Sequence, residues 1–113
     1  MQVKPKSVLL AMSVLLLLAS PGFAQQHNRQ SADDQYMAAM KTMNQNMKAV
    51  TDPNPAQSFA KKMIEHHSGA VAMSEIVLQH AKDPAIRKIA HQTIRENTKG
   101  IKELRKWLKQ HHR

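Results

Sequence analysis

The chain has 113 residues, room for one compact domain, with 17 Lys and Arg against 8 Asp and Glu, 7 His, 8 Met and no Cys. Without cysteine there is no disulfide, thiolate zinc site, iron-sulfur cluster, c-type haem attachment or lipidated N-terminal cysteine, so any soft-metal chemistry falls to Met and His. The aromatic residues are Phe23, Tyr36, Phe59 and Trp107. They are too few for a base-stacking platform, and the formal charge of +9 does not by itself indicate a nucleic-acid partner.

Residues 1–24 read as a cleavable export signal: Lys4 and Lys6 lead, Val8 to Ala19 is an apolar run, and Pro21-Gly22-Phe23-Ala24 supplies small residues before Gln25. A helical span needs about 20 apolar residues, more than this run offers. Cleavage after Ala24 leaves 89 residues and, with two lysines gone, a formal charge of +7. The product is expected in a bacterial periplasm, with secretion as second choice. Residues 25–32 form a flexible mature N-terminus and residues 33–113 the helical domain. So small a domain without disulfides draws on extra stabilisation, for which a metal or a second copy is suited.

Three helices are expected in the domain, an all-α fold with no strand-like alternation. The first runs from about Asp33 to Val50, with Tyr36, Met40, Met43, Met47 and Val50 at helical spacing. In the second, Asn54 is the N-cap, Pro55 the first helical residue and Gln57 the third member of a capping box. Asp83 caps the third, with Pro84 in first position. The second helix carries a seam Phe59, Met63, His66, Ala70, Met73, Val77, and the third a seam Ala90, Ile94, Asn97, Ile101, Leu104, Leu108. Folding the two back antiparallel pairs 59 with 108, 63 with 104, 66 with 101, 70 with 97, 73 with 94 and 77 with 90. The numbers in every pair add to 167, which centres the hairpin on Asp83-Pro84. The Met-bearing first helix is expected to cover the hairpin groove.

At about 100° per residue, His67 stands about 40° to one side of Met63 and His66 about 60° to the other, so both histidines are expected to face inward. Thioethers and neutral imidazoles together suit Cu(I) or Ag(I) and do not suit Mg or Ca. Met63, His67, Met73, Met40, Met43 and Met47 are the candidate ligands. The same methionines also read as adaptable core filler. A buried histidine needs a polar partner if it holds no metal, and Asn97 is the one the register offers. A second site, for Cu(II) or Ni(II), would arise if cleavage left His27 third from a free amine.

The basic run Lys99 to Arg113 has two readings. It is a solvated helix end favoured by the macrodipole, or a surface for an acidic partner or anionic lipid. The second makes the chain a metal-independent interaction module of the envelope. Enzyme templates are missing: Glu65, Glu75, Glu96 and Glu103 are followed three residues on by Ser68, Leu78, Lys99 and Lys106, not by the His of di-iron bundles. No His-Glu-x-x-His, Gly-x-Ser-x-Gly or phosphate-cradling loop occurs, so no catalysis is expected.

Four motifs together resemble the CopM-type family: Tyr36-Met37-Ala38-Ala39-Met40, Phe59-x-x-x-Met63-Ile64-x-His66-His67-x-Gly69-Ala70-x-x-Met73, Asp83-Pro84, and Ile101-x-x-Leu104-x-x-Trp107-Leu108. The resemblance runs from Tyr36 to Leu108. It implies a small ferritin-like helical bundle in the periplasm that binds copper, as Cu(I), or silver and supports copper tolerance. A homo-oligomer or a metal-handling protein would be its partner. Carried over by position, the ligands would be Met63, His66, His67 and Met73, with Met40, Met43 and Met47. This chain departs from the family at Ser68, Asn97, Gly100 and Leu104, where Gln, Gln, Glu and Met are usual. The resemblance then leaves the site one thioether and one carboxylate short. Gly100 also costs about 1 kcal/mol against Ala in a helix interior, for a reason the sequence does not supply.

Overall fold

The computed structural model describes residues 30–111. The expected export signal at 1–24, the His27 site and His112 lie outside the described residues. Three helices follow in order: α1 (Ala32–Ala49), α2 (Pro55–His80) and α3 (Pro84–Gln110).

Each start is chemically marked. Ser31 caps α1, its hydroxyl accepting from Asp34 N–H at 3.1 Å while the Asp34 carboxylate accepts from Ser31 N–H at 3.3 Å. This capping box extends the helical domain to Ser31, two residues before the expected boundary at 33. Asn54 Oδ1 accepts from the N–H groups of Ala56 and Gln57 at 2.9 and 3.2 Å, and Asp83 Oδ1 from Ile86 at 2.9 Å. Pro55 and Pro84 follow these two caps. The expected box at Asn54 is half made: Gln57 Nε2 turns away and donates to the His111 carbonyl at 3.0 Å, tying the start of α2 to the end of α3.

The ends of α1 and α2 are held by cations from the next helix. Lys62 Nζ donates to the carbonyls of Met47 and Val50 at 2.7 and 2.8 Å, and Arg87 donates to those of Leu78 and Ala81 at 2.7 and 3.0 Å. Carbonyls that a helix end leaves unpaired are thereby satisfied by positive groups, which the macrodipole also favours. Arg87→Met, which keeps much of the stem and loses the donors, is expected to cost about 1–2 kcal/mol in a urea melt.

The arrangement is a layer with α2 in the middle. α2 packs against α1 on one flank and α3 on the other, and no Cα of α1 comes within 8 Å of one in α3. The expectation that α1 covers the hairpin groove is therefore corrected. Gly69 lacks a Cβ where Met43 lies against α2, so α1 seats closely on the α2 flank, and Asn46 Nδ2 donating to Glu65 Oε2 at 3.1 Å holds it there. Tyr36 reaches the α2/α3 junction, where it lines a hollow with Met73, Val77, Ile86 and Ile89.

The hairpin register is borne out, and the face of α2 is not. His67 lies on Gly100, a pair that also adds to 167, and Met63 and Leu104 share one hollow as Val77 and Ala90 share another. The expected seam positions Phe59, Met63, His66 and Met73 each stand one residue before one that turns inward: Ala60, Ile64, His67 and Ser74. Phe59 is 61% exposed and Ala60 only 2%. Close approach of two helix backbones favours small side chains along the line of contact, here Ala60, Ser74, Ala90 and Gly100, and leaves the long ones at its edges. Met73 and Phe59 consequently rim a groove instead of filling a core. Among the described residues no helix is long and apolar enough to cross a membrane.

Candidate metal centre

Met63 and His67 are one helical turn apart on α2, and both line a hollow of about 370 Å³ between α2 and α3. α3 contributes Gly100, Glu103, Leu104 and Trp107 to its wall. The ring of His67 rests on the bare backbone of Gly100: a Cβ there would stand 2.8 Å from Cδ2 and 2.9 Å from Nε2 of the imidazole. This supplies the reason for a glycine inside α3. The space that a side chain at 100 would take is filled by the histidine ring.

The Nδ1 of His67 is shut off from water and has no hydrogen-bond partner among the described residues. An unpaired buried polar nitrogen costs about 1–3 kcal/mol, so such a group calls for explanation. Asn97, the partner expected from the sequence, donates instead to the Thr93 carbonyl of its own helix at 2.9 Å. Ser68 and Ser74 likewise donate back to the Ile64 and Ala70 carbonyls, each at 2.8 Å.

The other candidates lie elsewhere. His66 is exposed, contrary to the expected inward pair, because one residue along α2 turns the side chain by about 100°. Its ring stands edge-on to that of His67, centroids 6.1 Å apart. Met73 lines the Tyr36 hollow, ten residues from Met63 and so about 15 Å along the helix, too far to share one ion with it. Met43 packs on Gly69, Met47 is half-buried at the end of α1, and Met40 is 40% exposed. The seven positions thus divide among several places, with Met63 and His67 the pair brought together.

Sequence reasoning passed over Gly100, Glu103 and Trp107 as parts of the site. The signal was present, since the register constant of 167 pairs position 100 with 67 as soon as His67, not His66, is taken as the inward histidine. Glu103 lines the same hollow from three residues further along α3. Among the described residues no three of His, Cys, Asp and Glu converge into a metal-holding group. A site in this hollow accordingly needs the Met63 thioether as a donor.

Fold and site together define a small all-α protein, three antiparallel helices with Met63 and His67 lining one interhelical hollow. A family model described as a domain of unknown function (DUF305) matches residues 13–108, and the chain belongs to that family. No curated protein matches it.

Proposed function

We propose that this is a non-enzymatic protein of the bacterial periplasm that binds Cu(I) or Ag(I) for sequestration, delivery or tolerance, with Met63 and His67 as the principal donors. The observation that carries the reading is the buried, unpartnered Nδ1 of His67, one turn from a thioether. A soft cation is the ligand class that a neutral imidazole and a thioether accept together. Bound there, the ion would supply the electrophile that both donors lack, and Glu103 at the rim would offset its charge. Gly100 holds the imidazole in place and Leu104 and Trp107 wall the hollow. The CopM-type resemblance of the Met63-Ile64-x-His66-His67 stretch supports the same reading.

The test is anaerobic competition for Cu(I) against a chromogenic chelator. Met63→Leu combined with His67→Leu is expected to weaken Cu(I) retention at least tenfold, while Met73→Leu leaves it within about twofold. Undiminished competition by the double variant would defeat the assignment.

A further inference from the structure

The outer face of α3 carries Lys88, His91, Arg95, Lys99, Lys102, Lys106 and Lys109, all exposed. Their steps of three, four, four, three, four and three residues put them within about 80° of one another around the helix. The row is thus straight and about 30 Å long, at about 1.5 Å per residue. It begins well before the basic run at 99–113 evident in the sequence. It also lies on the side of α3 opposite Ala90, Leu104 and Gly100, the residues turned toward α2. Glu103, which approaches Lys99 at 3.8 Å, stands on the flank beside the hollow and off the row.

A partner must therefore meet a convex, collinear line of cations at the edge of a helical layer. α2 lies behind α3 as seen from the row, so a flat anionic surface can touch the whole line. No aromatic residue occurs in the row to stack on bases, and a single line of charge has no groove to enclose a strand. We infer that α3 docks lengthwise on a bilayer rich in anionic headgroups, through Lys88, Arg95, Lys99, Lys102, Lys106 and Lys109. Contact is electrostatic and shallow, since no long apolar side chain stands in the row to insert. This stands apart from the metal reading, because the row and the Met63–His67 hollow occupy different sides of α3.

The test is co-sedimentation of the full chain with vesicles of phosphatidylcholine alone or with 30% phosphatidylglycerol (a chosen composition, roughly that of a moderately anionic membrane). Binding to the anionic vesicles is expected to exceed binding to the neutral ones and to collapse as salt is raised toward about 0.5 M. Lys99→Gln, Lys102→Gln and Lys106→Gln together should weaken the anionic arm on the order of a hundredfold. Lys41→Gln, Lys48→Gln and Lys82→Gln, an equal loss of charge from exposed positions off the row, should change it by less than about fivefold. Residues 1–24, with Lys4, Lys6 and the apolar run 8–19, are common to all these proteins, so the difference between the two triple variants reports α3. Equal losses in the two triple variants, or equal binding to both vesicle types, would overturn the proposal. So would tighter binding to duplex DNA than to the anionic vesicles under the same salt.

Discussion

Gly69→Val is expected to lower the melting temperature by roughly 5 to 20 °C. A Cβ at 69 would come within 2.7 Å of Met43 Cγ and 3.0 Å of Met43 Cβ. Cγ is one torsion from the backbone, so either Met43 is driven into a different, less favourable rotamer or α1 shifts away from α2. Overpacking of this kind costs about 1–3 kcal/mol, and each kcal/mol moves the melting temperature of a domain this size by about 4–8 °C. The margin is thin because the core is thin. Its buried apolar side chains are Ala60, Ile64 and Ala90, with no large side chain fully buried among the described residues. In a Met43→Ala background the obstructing atoms beyond Cβ are gone, and the penalty for Gly69→Val should fall below about 1 kcal/mol. The same penalty in both backgrounds, read by circular dichroism melts, would show that the α1/α2 contact at Gly69 is not its cause.

Gly100→Ala should change the sign of its effect according to what stands at position 67. Alanine improves helix propensity by about 1 kcal/mol over glycine. In the native background the added methyl meets the His67 ring at 2.8 and 2.9 Å, and relieving that contact costs about 1–3 kcal/mol. The net result is neutral to destabilising by about 2 kcal/mol. With His67→Ala the ring is gone and Gly100→Ala should stabilise by about 1 kcal/mol. The coupling across this double-mutant cycle is therefore about 1–3 kcal/mol, measurable by urea unfolding. If Gly100→Ala stabilises equally with and without the imidazole, the ring is not seated on α3. Where the metal reading holds, the same substitution also weakens Cu(I) retention, since it displaces a donor without removing it.

Much of the architecture was legible in the residues. Asn54-Pro55 and Asp83-Pro84 marked two helix starts because an Asx side chain caps the first free N–H groups and the proline after it has no N–H to leave unpaired. At α1 the mark is a different one, the reciprocal capping box of Ser31 with Asp34. The hairpin register also followed from periodicity, since two apolar repeats joined by a short turn align in one way once the turn is placed. The site was legible in part. Met63 and His67 stand out by residue type and spacing, but periodicity turns His66 inward as well, where it does not lie, and gives no reason for Gly100.

The sequence by itself determined three helices, where they start, and that positions adding to 167 oppose one another, because capping and chain reversal are local matters. The tertiary structure alone decided which side of α2 is buried and where α1 lies. Those outcomes depend on how closely backbones approach, and close approach is set by the small residues Ala60, Gly69, Ser74, Ala90 and Gly100, which add little to a hydropathy pattern. With α1 set on the Gly69 flank and α3 closed over His67, one histidine is half-buried and its neighbour faces water. A single residue's rotation along α2 separates the two.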